Sequence, residues 1–195
     1  YIDLYKADFP RIDSEERFKW IAVKHFQDCW NIEAPDFADM LRRAFSKHDG
    51  LLDAGVARPL SVMLLFARRE PETVRALYRT LFDESLPLER RISEFTEGTQ
   101  LFVDKMRQED ASWKNTFQDL HALSVYLTFR HPENYYIYKY SVLMAVVSAF
   151  DVEVGPGRLK TFWQICDAIR EVASADEELV SLSHKRLGSD CYQDP

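Results

Sequence analysis

The sequence predicts an all-α fold, a single bundle-like domain of about nine helices. Apolar residues recur at helical spacing in one segment after another along the chain. The 195 residues include 6 glycines and 8 prolines, too few for the many turns of a β-sandwich. A chain of this length can bury roughly 70% of its unfolded surface in one core. We therefore expect residues 1–188 to form one helical domain.

The first three helices are predicted from cap residues and apolar spacing. A helix over residues 13–29 begins with Asp13 as N-cap, and Glu16 completes a capping box. A second helix starts near Pro35 and ends at Gly50. The third, over residues 60–69, is apolar on all sides, which is typical of a helix at the centre of a domain.

A fourth helix starts at Pro71, and the fifth has the clearest pattern in the chain. Its apolar side repeats at alternating steps of four and three residues: Leu88, Ile92, Phe95, Thr99, Phe102 and Met106. Such a seam predicts packing along a neighbouring helix.

A sixth helix is expected over residues 113–129. It ends before His131-Pro132, because proline disfavours helical geometry at the residue that precedes it. Residues 125–129 and 135–138 could instead pair as a short extended hairpin. The sequence leaves that alternative, near residues 125–140, open.

Three more helices are expected in the last third of the chain. Ser141 is the predicted N-cap of a helix over residues 142–150. A loop over residues 151–158 then leads to helices over residues 159–173 and 176–187. Residues 189–195 are expected to begin a linker to a further module.

Charge and cysteine content limit the function. The net charge of −7 and the pI near 5.3 count against a duplex-binding protein, which must neutralise phosphates. The 3 cysteines are far apart and form no C-x-x-C motif, so we expect reduced thiols and a cytoplasmic location. No apolar run is long enough to predict a membrane span or a membrane partner.

The sequence contains no convincing catalytic motif. Residues 155–161 look like a phosphate-binding loop, but Leu159 stands where that loop needs glycine. The histidines lack metal-ligand spacing, and no lysine follows an acidic residue by two positions, as many restriction nucleases require. No cysteine was found in a motif with a nearby histidine. We therefore expect no catalytic residue, no metal and no cofactor in this chain.

The candidate binding residues lie in an aromatic run over residues 129–140. They are Arg130, Tyr135, Tyr136, Tyr138, Lys139 and Tyr140. Three interpretations are open: a buried connector, a protein–protein surface, or a stacking platform for bases with Lys139 and Arg130 near phosphates. Arg75 and Arg79, one helical turn apart, are a second candidate, because they share a face that could bind phosphates or an acidic partner.

The same run resembles a known family. Arg130-His131-Pro132-Glu133-Asn134-Tyr135-Tyr136-Ile137-Tyr138-Lys139-Tyr140-Ser141 is similar to a stretch before the AAA+ module of methylcytosine-restriction-type (Mcr-type) GTPases and their bacterial relatives. His184-Lys185-Arg186-Leu187 followed by Asp190-Cys191-Tyr192 resembles a later stretch of the same region. The likeness is best over residues 118–195.

The resemblance implies the N-terminal segment of a longer AAA+ protein in a restriction system. Its partners would be the AAA+ module of the same chain and a partner nuclease. No Walker motif is present, so nucleotide hydrolysis is not carried over to these residues. We expect a non-catalytic specificity or interaction module that recognises a target, such as DNA, or a protein partner. The alternative is a structural scaffold that packs on the motor and binds no nucleic acid.

Overall fold

The fold is all-α, as predicted. The structure, a computed structural model, describes residues 1–150, 152–154 and 157–193. Those ranges contain ten α-helices and no β-strand. The helices are α1 (Ile2–Glu16), α2 (Phe18–Cys29), α3 (Phe37–Ala44), α4 (Pro59–Arg69), α5 (Pro71–Phe82), α6 (Leu88–Glu109), α7 (Leu120–Arg130), α8 (Tyr140–Phe150), α9 (Arg158–Ser174) and α10 (Glu177–Lys185).

The structure has ten helices where nine were predicted, because the helix expected over residues 13–29 includes parts of two helices. α1 already begins at Ile2, and α2 follows it after a break at Arg17. Asp13 is therefore not an N-cap; it lies inside α1, and its backbone carbonyl accepts a hydrogen bond from the amide of Arg17. The pattern missed α1 because Phe9 is its one buried residue and Pro10 interrupts its interior.

Helices α2 to α7 form the main core, which is rich in aromatic rings. Phe26 of α2 lies at its centre, with ring centroids 4.9 Å from Phe45, 5.0 Å from Trp30 and 5.8 Å from Phe129. The mutual packing of α5 and α6 confirms the predicted seam. Phe95, Thr99, Phe102 and Met106 on that seam are all buried. A Cβ at Gly98 would collide with Leu77, so the glycine permits the close approach of these two helices.

The sixth predicted helix begins later than expected. Phe117 has a positive φ of 56°, a left-handed conformation that interrupts a right-handed helix. The carboxylate of Asp119 then caps α7 by accepting a hydrogen bond from the amide of Ala122 at 2.9 Å. Residues 122–129 of α7 are helical and buried throughout, so the hairpin alternative for residues 125–140 is wrong.

The last helices and α1 form a smaller layer beside the core. α10 packs on α9 and on α1, and Lys6 binds the carboxylates of Asp176 at 3.0 Å and Glu178 at 2.9 Å. Asp176 is also the N-cap of α10, and the helix begins close to the predicted start at residue 176. Ser141, expected as an N-cap, instead lies within α8, which begins at Tyr140. The predicted loop over residues 151–158 lies partly outside the described residues.

Residues 189–193 were expected to begin a linker, but they contact the helical domain. The side chain of Cys191 is fully buried, and the amide of Tyr192 donates to the carbonyl of Trp20 at 2.9 Å. Throughout the described ranges, no helix has both the length and the apolar character needed to cross a membrane.

Candidate docking surface

The tyrosine connector, residues 131–139, joins α7 to α8. Tyr135 and Tyr138 are buried, Tyr136 is half-buried, and Lys139 is exposed. Tyr140 belongs to α8 and is 55% exposed. The aromatic run predicted as a binding site is therefore divided between the core and the surface.

On the core side, Tyr135 is part of a polar network. The guanidinium of Arg91 donates to the Tyr135 hydroxyl at 2.6 Å, and that hydroxyl donates to the Glu84 carboxylate at 2.9 Å. Asn134 donates to the same carboxylate, and Nδ1 of His131 lies 3.2 Å from it. These contacts leave the ring and hydroxyl of Tyr135 unavailable for stacking on a base.

The network lowers the pKa of Glu84. Burial alone would raise that pKa, but hydrogen bonds from Tyr135 and Asn134 and the positive charges of His131 and Arg91 outweigh it. Burial likewise raises the pKa of Tyr135 above its usual value. The network therefore favours an ionised Glu84 beside a neutral Tyr135.

On its other side, the tyrosine connector binds α9. The hydroxyl of Tyr136 donates to the Asp167 carboxylate at 2.8 Å, and the indole of Trp163 donates to the Tyr136 carbonyl at 2.7 Å. The ring of Tyr138 packs edge-on against Phe162, with centroids 5.3 Å apart. The tyrosine connector thus attaches the smaller layer to the main core. This supports the buried-connector interpretation of Tyr135, Tyr136 and Tyr138.

His121 fixes the end of the tyrosine connector. Its Nδ1 lies 2.7 Å from the Tyr138 carbonyl, and its Nε2 lies 2.7 Å from the Leu51 carbonyl. The Ser124 hydroxyl accepts a hydrogen bond from the Tyr138 amide at 2.8 Å. Both ring nitrogens of this histidine therefore contact backbone carbonyls, which gives it a structural role.

The predicted basic patch on α5 is not an exposed patch. Arg75 is 6% exposed; its guanidinium lies 4.7 Å above the Phe37 ring and donates to the carbonyls of Ile32 and Ala34. Arg79 is exposed but binds the Glu33 carboxylate at 2.6 Å. The two arginines share a helix face, yet one joins the core and the other forms a surface ion pair.

Positive charge is exposed elsewhere, at the start of α8. Lys139 precedes that helix, and the guanidinium of Arg158 lies 5.7 Å from the Tyr140 ring. Lys139 also lies near Lys19: burial and, to a lesser extent, the charge of Lys139 lower the pKa of Lys19 to about 8. Arg130 is half-buried at the end of α7, where its carbonyl accepts a hydrogen bond from Gln27.

The exposed side of α8 is the most unusual surface of the molecule. None of the eleven residues of α8 is charged, and this helix is the most apolar of the ten, yet Leu143 is its one buried residue. The α8 surface consists of its exposed residues: Tyr140, Ser141, Val142, Met144, Ala145, Ser148, Ala149 and Phe150. The side chains of Val142, Met144 and Phe150 are 45%, 39% and 56% exposed. An apolar helix that packs so little on its own chain is a candidate interaction surface.

Sequence reasoning missed this surface and one histidine–cysteine pair. The absence of charge from residues 140–150 could be read from the sequence, but it indicates an apolar helix and not the exposure of that helix. His25 and Cys29 lie four residues apart on α2, with Nε2 and Sγ 3.7 Å apart, which corrects our statement that no cysteine has a histidine nearby in sequence. Nε2 also lies 2.9 Å from both the Arg43 carbonyl and the Ser46 hydroxyl, so the imidazole is held by structural contacts.

The rest of the described chain offers little for chemistry. No group of three or more His, Cys, Asp or Glu side chains in those ranges is placed to hold a metal ion. Burial raises the pKa of Cys166 to about 11, which disfavours its thiolate. A shallow cavity of about 220 Å³ near the start of α3 is lined by Asp36, Ala38, Asp39, Arg42 and Arg68. Gly155 and Pro156, in the run that looks like a phosphate-binding loop, lie outside the described residues.

Comparisons with protein families, with curated proteins and with solved structures gave no match.

Proposed function

We propose that this chain is a non-catalytic interaction module that docks a protein partner through the α8 surface. The observation that carries the proposal is the exposure of the most apolar helix in the molecule. Burial of apolar surface is favourable by about 25 cal/mol per Å². An uncharged helix that is exposed to water would therefore gain free energy from binding a partner. Exposed apolar patches of this kind mark protein–protein contacts in other proteins.

Several features favour a protein partner over nucleic acid. The rings of Tyr135, Tyr136 and Tyr138 are held in the tyrosine connector, and Arg75 is buried in contacts of its own. The α8 surface presents methyl and methylene groups, which complement apolar side chains and not phosphates. The overall charge of −7 also opposes long-range attraction to a polyanion.

The resemblance to Mcr-type proteins extends the proposal. In that setting the docked partner would be the AAA+ module of the same chain or its partner nuclease, and this chain would be a specificity or scaffold element. This extension rests on the similarity of residues 130–141 and 184–192 alone.

DNA recognition is a second candidate, favoured by one observation. Lys139, Tyr140 and Arg158 are exposed together at the start of α8, and two cations beside a ring could hold a single strand. A mobility assay with duplex and single-stranded DNA at low salt tests it. Binding that weakens steeply with salt and is lost in the Lys139→Glu/Arg158→Glu variant would support DNA recognition.

Photo-crosslinking tests protein docking directly. A benzoylphenylalanine residue at Met144 in cells of the source organism is expected to give one discrete adduct on irradiation. The same residue at Leu101, which is 64% exposed on α6, is the control and is expected to give none. Equal labelling at the two positions, or no adduct at Met144, would contradict docking through α8.

Stability measurements supply the complementary test. The Val142→Ser/Met144→Ser variant should change the free energy of unfolding by no more than about 0.5 kcal/mol per substitution, as for other surface positions. Leu143→Ala, on the buried side of the same helix, should cost about 2–5 kcal/mol. A large loss in the double variant would show that these side chains serve folding and not docking.

A further inference from the structure

The charges around α8 have opposite signs at its two ends. Lys139 and Arg158 lie at its start, and no carboxylate in the described ranges forms an ion pair with either of them. Glu153 is exposed just after its end. Asp3, which is almost fully exposed and lies 3.5 Å from Lys6, is also near that end, because the Tyr1 ring packs 5.5 Å from the Phe150 ring.

Between these ends, the α8 surface is uncharged, and one stripe along it carries only short side chains. Ser141, Ala145 and Ala149 recur at four-residue steps on one exposed side, so they line one face of the helix. Short side chains allow a second helix to approach closely. A helix without charge can also face a copy of itself without repulsion between like charges.

We propose that the partner on the α8 surface is a second copy of this chain, with the two α8 helices antiparallel about a two-fold axis near Ala145. This inference rests on the proposed docking function and names its occupant. The antiparallel arrangement brings Lys139 and Arg158 of each copy to Glu153 and Asp3 of the other. It also sets the positive end of each helix dipole against the negative end of its neighbour.

The two-fold arrangement follows from the charge pattern. A parallel pair would place basic ends together and acidic ends together, which is unfavourable, whereas the antiparallel pair matches opposite signs twice. Such an isologous contact closes on itself and gives a dimer, not a filament. One helix per copy makes a small interface, so we expect micromolar affinity.

Sedimentation equilibrium over about 5–500 µM tests the dimer. The wild-type chain should pass from monomer to dimer in this range. Ala145→Glu should raise the dissociation constant by about a hundredfold or more, because it places two carboxylates at the axis. Leu101→Glu, the same kind of change at an exposed residue of α6, should leave it unchanged, and circular dichroism should show both variants folded.

Zero-length carbodiimide crosslinking of the wild-type chain tests the antiparallel arrangement. Mixing ¹⁴N- and ¹⁵N-labelled chains distinguishes a crosslink between two copies from one within a single copy. The antiparallel arrangement predicts a Lys139–Glu153 crosslink that joins the two isotope labels. Charge reversal gives a second test: Lys139→Glu/Arg158→Glu should weaken the dimer about tenfold or more, and adding Glu153→Lys should restore part of that loss.

Each result supports or overturns the inference. A chain that stays monomeric at every concentration, a dimer that survives Ala145→Glu, or a dimer without the Lys139–Glu153 crosslink would overturn it. A monomer whose Met144 photo-adduct contains a different protein would overturn the second copy as occupant and leave the docking function standing. A Val142→Ser/Met144→Ser variant that fails to fold would count against both proposals.

Discussion

Helices α7 and α8 have the same length but opposite environments. Each has eleven residues, and α8 is the more apolar of the two, yet α7 is buried from residue 122 to residue 129 while α8 buries Leu143 alone. The difference lies in their neighbours, since α7 runs through the aromatic core between α2 and α5. Apolar character makes burial of a helix favourable, and packing shows how much of that burial its own chain supplies.

Matched phenylalanines near the ends of these helices give the largest expected difference. Phe129→Ala on α7 removes a fully buried ring that contacts Phe26 and Phe45, and should lower the free energy of unfolding by about 3–5 kcal/mol. Phe150→Ala on α8 should cost less than about 1 kcal/mol, because its ring is 56% exposed and packs on Tyr1. Chemical denaturation of the two variants measures both values. Similar losses in the two variants would refute the contrast between the helices.

The arginines of α5 provide the next comparison between core and surface. Arg75→Met should cost about 2–3 kcal/mol, since it leaves the buried carbonyls of Ile32 and Ala34 without their charged donor. Arg79→Met breaks one exposed ion pair with Glu33 and should cost no more than about 1 kcal/mol. Thermal and urea unfolding of both variants checks the order. If Arg79→Met cost as much as Arg75→Met, the assignment of Arg75 to the core would fail.

Local periodicity predicted the helices that pack along their full length. The α6 seam and the apolar residues of α4 were readable because burial there follows largely from spacing. α1 was missed because its contacts are ionic and distant in sequence: Lys6 binds Asp176 and Glu178, while Asp13 binds Arg186. Such contacts have no periodic signature.

The candidate site was predictable in composition but not in geometry. The aromatic run identified the segment where the two layers meet, and the buried-connector interpretation matches the positions of Tyr135, Tyr136 and Tyr138. Which tyrosine is buried depends on Arg91, Glu84 and Asp167, whose proximity is set by tertiary packing. The exposure of α8 was likewise inaccessible, because the sequence does not state which helices lie beside it.

Substitutions at the start of α7 and of α8 should give a smaller difference in the free energy of unfolding. Asp119→Ala removes the carboxylate that accepts from the Ala122 amide and should cost about 1 kcal/mol. Ser141 lies inside α8 and is exposed, so Ser141→Ala should be neutral or stabilise by a few tenths of a kcal/mol through helix propensity. Thermal unfolding of both variants gives the comparison. A loss near 1 kcal/mol for Ser141→Ala would indicate that Ser141 is a cap after all.

The smallest expected effect concerns pH at the tyrosine connector that joins these helices. The pKa of Glu84 is lower in the folded chain than its ordinary value of 4.5, because Tyr135, Asn134, His131 and Arg91 stabilise the carboxylate against the cost of burial. A lowered folded-state pKa contributes stability above the unfolded-state pKa, and that contribution is lost as the pH falls through the folded-state value. Stability should therefore decrease on acidification from about pH 5 to about pH 3.

Glu84→Gln should remove the part of this decrease that belongs to the network. The Glu84 side chain is 38% exposed, so solvent screening should limit the difference to less than about 1 kcal/mol. Glu97→Gln, at an exposed position on α6, is the control and should leave the pH profile unchanged. Because the Glu84 network fixes the core side of the tyrosine connector and leaves α8 untouched, Glu84→Gln at neutral pH should lower stability without changing the dimer constant. A parallel loss of stability and association in this variant at neutral pH, where Glu153 and Asp3 stay ionised, would show that the tyrosine connector and the α8 surface are coupled.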